Sequence, residues 1–440
     1  MLNEVLARII RCSAWNLLSS VALRMSGLIT GMIVSRIVGK DDFGSYSIVL
    51  VTIGTFYSIS GAGFGTAAAR YIAEHRTSDP AQASAVIRDT QRFAIIAASA
   101  AALLIFMFSK QLAGSVFAAP HIDSLLAASS IWMFLSIVTA EQNGVLTGFE
   151  AFRQTSAVNF IYALISVVSS GLAAAYCGIT GVIAANTLSA GVLYLMNCRV
   201  IHLQRVSHGM MATAPKSHTG PSLILQYSLP ALLSSIIVYP ANWTCTALLS
   251  RQPDGVPEVG IYNIASQWRN LVVYLPGVVS MVFVSVLANR SKLMKDSDTM
   301  KIYAANLGLN IVFSVATAAP MIIFSETVMS WYGQEFSHGS KCLTAMLISG
   351  CLLSVITVAG QAMVLQTLIW PWFWLNLIWA SALICFSWVF RMSGSYGVAL
   401  ANVIAFSIHL LNIMIYLGVR TLFMTSSGNK EPKCPRPQKT

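Results

Sequence analysis

The chain has 440 residues, of which 56% are hydrophobic and 10% are charged, and its formal net charge is +11. A soluble domain carries roughly a quarter charged residues, so this composition cannot supply a water-facing surface over such a length. It excludes a nucleic-acid-binding domain, a disordered scaffold and a secreted disulfide framework, and it predicts a multi-pass membrane protein.

Twelve apolar stretches are predicted as membrane spans, each long enough for a crossing of about 20 residues. In chain order they are 14–37, 46–69, 93–109, 124–147, 157–176, 179–198, 225–249, 259–288, 302–324, 342–366, 369–390 and 396–418. Twelve crossings place both termini on one side. If that side is the cytoplasm, it holds nineteen of the 27 Lys and Arg residues and the far side holds six, as the positive-inside rule predicts. The alternative interpretation of the excess charge is a basic patch for anionic lipid headgroups.

Two sequence windows recur at a single offset of 216 residues. Gly178–Asn186 matches Gly394–Asn402 at five of nine positions. At the same offset, Asp42–Tyr46 and Glu258–Tyr262 share an acidic residue, a glycine and a tyrosine just before a predicted span. A shared offset in two separate windows indicates an internal duplication.

The duplication predicts two halves of six helices each, at about 1–215 and 216–424. The remaining stretch, 425–440, is rich in proline and basic residues and is predicted to be a disordered cytoplasmic tail. Six crossings per half preserve orientation, so the repeats are predicted to be parallel, with the substrate site at their interface.

Arg24 lies within the first predicted span, on a helical face with Ser20, Gly27 and Gly31. An arginine that faces lipid at this depth costs several kcal/mol, so it is expected to face a protein interior or a water-filled cavity. In the alternative interpretation, the two glycines form a helix-packing face and Arg24 caps carbonyls of a neighbouring broken helix.

Arg269 lies within the eighth predicted span and shares a helical face with Tyr262 and Ser266. Pro276, further along the same face, can bend the helix and free a carbonyl toward a cavity. The alternative is that Arg269 extends along the helix to the far membrane interface.

Arg70 and Glu141 are weaker candidates. Arg70 closes the second predicted span after the glycine-rich run 61–65, which lacks the strand–helix context of a nucleotide loop, and it can equally be an interface anchor. Glu141 is the single carboxylate placed inside a predicted span and is a candidate proton carrier. Alternatively, Glu141 marks an earlier end of its helix.

Two arginines against one carboxylate within the spans predict a cavity with positive character. Such a cavity attracts anions and repels organic cations, and a diphosphate matches the planar donor fork of arginine. The eight cysteines lie singly, without zinc-ligand spacing, so they are interpreted as packing residues and no metal or cofactor is expected.

Several short motifs resemble one family. The run Val34–Tyr46 (VSRIVGKDDFGSY), followed by Arg70–Glu74 (RYIAE), resembles the opening of bacterial polysaccharide flippases of the Wzx type. These flippases belong to the superfamily that also holds multidrug antiporters and the lipid II flippase. Val259–Asn263 (VGIYN) resembles the second half of the family, and Gly148–Arg153 (GFEAFR) resembles the loop after its fourth span.

The resemblance implies an all-α integral membrane fold of two six-helix bundles in a V shape, around a central cavity that opens alternately to either side. It implies a transporter and not an enzyme. The cargo would be an O-antigen or exopolysaccharide repeat unit on a polyprenyl diphosphate, which crosses the bacterial inner membrane for surface polysaccharide or lipopolysaccharide synthesis, driven by an ion gradient or the membrane potential.

The resemblance also implies residue roles. Arg24, Arg70 and Arg269 best match the arginines that engage the diphosphate. The candidate sugar contacts are Asn16, Asn242, Trp243, Gln267 and Asn270. The expected partners are membrane lipids, a polysaccharide polymerase and a chain-length regulator, with no nucleic acid.

Two other functions are weighed against the flippase. A drug–cation antiporter of the same superfamily is expected to need more carboxylates within its spans. A membrane glycosyltransferase, ligase or polymerase for lipid-linked sugars is expected to carry acidic or histidine residues on an extended extracytoplasmic loop. Here the predicted far-side acidic residues lie in short loops without clustered histidine.

Overall fold

The computed structural model describes residues 2–210, 237–290, 296–366 and 368–426, and within these ranges the chain is helical with short turns and no strand. The helices are α1 (Leu2–His75), α2 (Pro80–Gln111), α3 (Asp123–Gly148), α4 (Phe152–Ser207), α5 (237–250), α6 (Gly255–Arg290), α7 (Asp296–Ile323), α8 (Ser325–Ser330), α9 (Ser340–Leu365), α10 (Ile369–Val389) and α11 (Gly394–Ser426). The predicted all-α fold is confirmed.

Two of these helices are bent at a glycine. In α1 the helical conformation breaks at Gly39, where φ is 80°, and in α4 it breaks at Gly178, where φ is 60°. Positive φ is accessible to glycine without strain because it has no Cβ atom. Each bent helix therefore supplies two of the predicted spans with almost no loop between them.

Eight stretches of the described residues are long and apolar enough to cross a membrane. Two of them, Leu18–Ile59 and Phe152–Ser207, contain 42 and 56 residues and include the bends in α1 and α4. When these two stretches are counted twice and α5 and α6 are added, the helices correspond to the twelve predicted spans.

The helices extend beyond the predicted spans into the polar connections. Between α1 and α2 only a four-residue turn is not helical, and Asp79 in this turn caps α2 by accepting a hydrogen bond from the Gln82 backbone N–H. At the other end, α11 continues to Ser426, two residues into the predicted tail 425–440, and 427–440 lie outside the described residues. Hydropathy marks where a membrane ends, and a polar helix can continue past that point.

The two halves contain the same hydrogen bond at equivalent positions. The Asn186 side-chain amide donates to the Tyr46 hydroxyl at 3.3 Å, and the Asn402 amide donates to the Tyr262 hydroxyl at 3.1 Å. Each pair joins the start of one span to a helix that follows a positive-φ glycine. The two predicted repeats thus share the same local geometry at equivalent positions, which supports the parallel repeat. The predicted boundary near 215 lies outside the described residues.

Equivalent glycines of the two halves meet where α1 packs on α6. A Cβ atom on Gly44 would lie 2.1 Å from the Val256 carbonyl oxygen, and a Cβ atom on Gly260 would lie 3.3 Å from the Gly44 nitrogen. The two backbones therefore approach closely at the same repeat position of each half.

The halves are joined at one end, here called the Arg36 side. The Arg36 Nε–H donates to the Trp331 carbonyl at 2.7 Å, and the Ser35 hydroxyl donates to the Tyr332 carbonyl at 2.8 Å. Next to these bonds, the rings of Phe43 and Phe336 pack edge to face at 5.8 Å. The opposite end, where α1 carries Arg70, is called the Arg70 side.

Candidate functional site

A cavity of about 690 Å³ lies between the halves and is lined by α1, α5, α6 and a single residue of α9. We call it the central cavity, and its size falls in the range of small-molecule sites, roughly 300–1,000 Å³. Both Arg24 and Arg269 line it, and none of its described lining residues is Asp or Glu. The central cavity therefore has the net positive character that the sequence predicts.

Arg24 enters the central cavity from the first half. Its guanidinium carbon lies 4.1 Å from the centroid of the Tyr274 ring, which belongs to α6 of the second half. A cation over an aromatic face is oriented without being neutralised, so its donors stay available to an anion. Of the nearby glycines, a Cβ atom on Gly31 would lie 3.3 Å from the Tyr332 ring, whereas one on Gly27 would meet nothing within 4 Å.

Arg269 enters the same cavity from α6 and is 9% exposed. Its Nη1 donates to the side-chain oxygen Oδ1 of Asn402 at 3.1 Å, and its Nε has no hydrogen-bond partner among the described residues. The repeated tyrosine–asparagine pair of the second half thus also holds the arginine. Arg269 is fixed inside the protein and does not extend to a membrane interface.

Arg70 is not brought together with the other two arginines. It is exposed near the end of α1 and does not line the central cavity. A smaller space of about 390 Å³ begins close by, lined by Thr66, Ala69 and Tyr239. Tyr239 also lines the central cavity, so the two spaces are neighbours. The smaller space therefore lies between Arg70 and the central cavity along α1, with Tyr239 on the wall of both spaces.

The predicted sugar contacts separate into three groups. Asn242, Gln267 and Asn270 line the central cavity. Trp243 does not: its indole N–H donates to the Thr52 hydroxyl at 3.2 Å, and its ring packs on Phe117. The side chain of Asn16 lies outside the described residues.

Glu141 is 1% exposed inside α3 and accepts a hydrogen bond from the Thr90 hydroxyl at 2.8 Å. Because α3 continues to Gly148, the alternative that Glu141 marks a helix end is wrong. The carboxyl group lies within the first half and does not line the central cavity. It is thus a buried acidic group separate from the arginines.

A second cavity of about 470 Å³ was not predicted from the sequence; we call it the aromatic cavity. It lies within the second half, between α9, α10 and α11, and shares Asn242 and Arg269 with the central cavity. Trp372, Asn376 and Trp379 face it from α10. Their spacing of four and three residues places them on one helical face, and this stripe of aromatic and amide side chains is the sequence signal that could have located the cavity.

Comparison with known proteins places the chain among polysaccharide-related membrane proteins. Residues 9–290 match the sequence profile of a family described as "Polysaccharide biosynthesis protein". The EPS I polysaccharide export inner membrane protein EpsE of Ralstonia solanacearum is 19% identical over 355 residues, which are 78% of each chain.

Two solved structures show the same fold. An inward-facing multidrug resistance MATE family transporter of the MOP superfamily superposes with a TM-score of 0.77 at 15% identity, covering 92% of this chain and 98% of that one. The lipid II flippase MurJ in an inward closed conformation superposes with a TM-score of 0.72 at 16% identity, covering 91% of this chain and 87% of that one. An outward-facing MATE structure gives 0.68. These likenesses confirm the predicted two-bundle transporter fold.

Proposed function

Because the chain belongs to the polysaccharide biosynthesis protein family, we propose that it is a flippase for polyprenyl diphosphate-linked oligosaccharides. Its EpsE relative is named for polysaccharide export and for the inner membrane, and the flippase MurJ shares its fold. The family and these relatives bear out the prediction that the chain is not an enzyme. The protein is a multi-pass inner membrane protein, and its cargo is an O-antigen or exopolysaccharide repeat unit.

The observation that carries the proposal is the central cavity with two arginines and no described acidic lining residue. A diphosphate supplies several acceptor oxygens, and each guanidinium presents a planar fork of donors to them. Arg24 and Arg269 enter from different halves, so an anion bound by both depends on how the halves are arranged. An organic cation would meet two like charges in the same space, which disfavours the antiporter alternative.

Alternating access is supported by the closed Arg36 side. The hydrogen bonds of Ser35 and Arg36 join the halves there, and the chain superposes better on the inward-facing MATE structure than on the outward-facing one. In the proposed cycle, cargo enters from the Arg70 side past Tyr239 and leaves after the Arg36-side bonds break. The charge bias makes the Arg70 side cytoplasmic, as it does both termini. A polymerase and a chain-length regulator act on the released unit.

Glu141 is the proposed proton carrier of this cycle. It is a buried carboxyl group with one hydroxyl donor, Thr90, in a half of the protein that must move relative to the other. Gain and loss of a proton at such a group couples naturally to a change in its surroundings.

The proposal is tested by deleting the gene in its own host and measuring polyprenyl diphosphate-linked oligosaccharides in each leaflet. Complete repeat units are expected to accumulate on the cytoplasmic side, and the intact gene but not Arg24→Ala or Arg269→Ala is expected to rescue export at normal protein abundance. Arg24→Lys is expected to rescue poorly, because an ammonium group lacks the bidentate fork. The matched control is Arg391→Ala, since Arg391 lines neither the central nor the aromatic cavity and its contacts are to Trp388 near the end of α10.

Other outcomes would overturn the proposal in distinct ways. Incomplete sugars in the deletion strain would indicate an enzyme of sugar assembly. Unchanged lipid-linked sugars with raised drug sensitivity would indicate the antiporter. Normal polysaccharide with both arginine variants would remove the diphosphate role of the central cavity.

A further inference from the structure

The aromatic cavity contains an unusual set of buried polar atoms. Four of the side chains that line it each carry a buried polar atom with no hydrogen-bond partner among the described residues: Gln361 Oε1, Trp379 Nε1, His409 Nδ1 and Arg269 Nε. Native proteins leave few buried polar atoms without partners, so four around one space require an explanation. Two of the four are N–H donors, one is an acceptor, and the imidazole nitrogen can be either.

The same space presents rigid aromatic surfaces. Trp379 stacks on Phe406 with centroids 5.2 Å apart, and the His409 ring lies 5.6 Å from that of Trp372. Trp372 is set close against α9, because a Cβ atom on Gly360 would lie 2.6 Å from its ring. The wall is therefore flat, aromatic and fixed in position.

From this combination we infer that the aromatic cavity binds the neutral sugar residue nearest to the diphosphate of the cargo. The C–H face of a pyranose ring is weakly positive and packs on aromatic faces, while its hydroxyl groups both donate and accept hydrogen bonds. A polyprenyl chain would instead leave all four polar atoms without partners in a dry space.

The position of the cavity fits this occupant and rests on the proposed function. Arg269 and Asn242 line both the aromatic cavity and the central cavity. The first sugar is covalently joined to the diphosphate, so a diphosphate in the central cavity places that sugar at the shared wall. The Arg269 Nη1 bonds to Asn402 while its Nε has no described partner, so one guanidinium can face phosphate and sugar together.

The inference is tested by measuring the affinity of the purified full-length protein in nanodiscs for two probes by native mass spectrometry. The probes are polyprenyl diphosphate with its oligosaccharide, isolated from the host, and the same lipid without sugar. Trp379→Phe removes the indole N–H and keeps a ring, and Gln361→Leu removes the amide at similar volume. Each variant is expected to lower the affinity for the glycosylated lipid about fivefold to tenfold, as the loss of one hydrogen bond does. Its affinity for the bare lipid is expected to stay within about twofold of that of the unchanged protein.

Trp374→Phe is the matched control, because it makes the same exchange in α10 at a tryptophan that is 57% exposed. Its affinity for both lipids is expected to be unchanged. Binding of the bare lipid shows that each variant is folded. If Trp379→Phe does not accumulate in the membrane, Gln361→Leu alone tests the sugar site.

Four results would overturn the inference. Equal affinity of the unchanged protein for both lipids, or variants that bind both lipids as the unchanged protein does, would show that no sugar is recognised here. Variants that lose affinity for both lipids equally would show that the substituted residues have a structural role. Binding of neither lipid by the unchanged protein would overturn the proposed function itself, and the sugar site with it.

Discussion

Asn402→Asp should weaken diphosphate binding strongly without removing either arginine. In the structure the side-chain oxygen Oδ1 of Asn402 lies 3.1 Å from Arg269 Nη1, so the substitution places a carboxylate in direct contact with the guanidinium. At an effective dielectric constant of about 20, the attraction across such a distance is roughly 5 kcal/mol. The new charge therefore pairs with Arg269, and the Tyr262 hydroxyl can rotate to donate to it, so the variant is expected to fold.

The new carboxylate instead lowers the affinity of the cavity for a bound anion. A carboxylate about 6 Å from a phosphate repels it by roughly 3 kcal/mol at the same dielectric constant, which corresponds to about a hundredfold loss of affinity. The assay is the affinity of the purified protein for polyprenyl diphosphate without sugar, together with surface polysaccharide in the host. Both are expected to fall while membrane abundance stays normal.

The repeat supplies a matched control. Asn186→Asp makes the same change at the equivalent position, where the neighbours are Tyr46, Ser166 and Val182 and no arginine is hydrogen-bonded. An uncompensated buried carboxylate should lower abundance and the thermal unfolding midpoint, but the protein that folds should keep its diphosphate affinity. Diphosphate affinity within about threefold of the unchanged protein in Asn402→Asp would refute the assignment of Arg269 to the anion site.

Three further predictions concern the interface and the buried acid. Gly44→Ala places a Cβ atom 2.1 Å from the Val256 carbonyl oxygen. It is expected to lower the free energy of unfolding by about 1–3 kcal/mol and with it the thermal unfolding midpoint. Gly27→Ala, whose Cβ atom would meet nothing within 4 Å, should not lower this midpoint. Arg36→Ala removes the bond to the Trp331 carbonyl and should increase labelling of Gln267→Cys by a membrane-impermeant thiol reagent added on the far side; unchanged labelling would mean that Arg36 does not hold that side closed. Glu141→Gln should bind polyprenyl diphosphate normally but lose the stimulation of flipping by a pH gradient in proteoliposomes, and a retained stimulation would assign Glu141 a structural role.

The helices were largely predictable because apolar length is a strong signal in a membrane protein. The fourth span, predicted at 124–147, is part of α3 at Asp123–Gly148. The third, predicted from 93, belongs to a helix that begins at Pro80, because polar residues can extend a helix outside the membrane. The bends at Gly39 and Gly178 could not be predicted from hydropathy, which carries no information about φ.

The site was predictable where charge carried the signal. An arginine inside an apolar span has few acceptable surroundings, and both Arg24 and Arg269 line the central cavity. Asn242 and Trp243 were indistinguishable in sequence, yet adjacent residues differ by about 100° around a helix and only Asn242 faces the cavity.

Hydropathy gave no such signal for the aromatic residues of α10. Trp374 and Trp379 lie in one helix and have the same hydropathy, but the first is 57% exposed and the second 2%. In a membrane protein, lipid and protein interior are equally apolar, so composition does not separate a lipid-facing tryptophan from one that lines a cavity.

The repeat, marked by a tyrosine–asparagine pair in each half, also shows which positions give the central cavity its positive charge. At the offset of 216 residues, Ile53 stands opposite Arg269 in the repeat, and Pro240 stands opposite Arg24. The framework was thus inherited twice, and each cation belongs to one copy. A chain built from two first halves would keep both tyrosine–asparagine bonds and lack the buried arginine, whereas two second halves would carry it twice. The tyrosine–asparagine pair is common to both copies, whereas the two cavity arginines, Arg24 and Arg269, lie at positions where the copies differ.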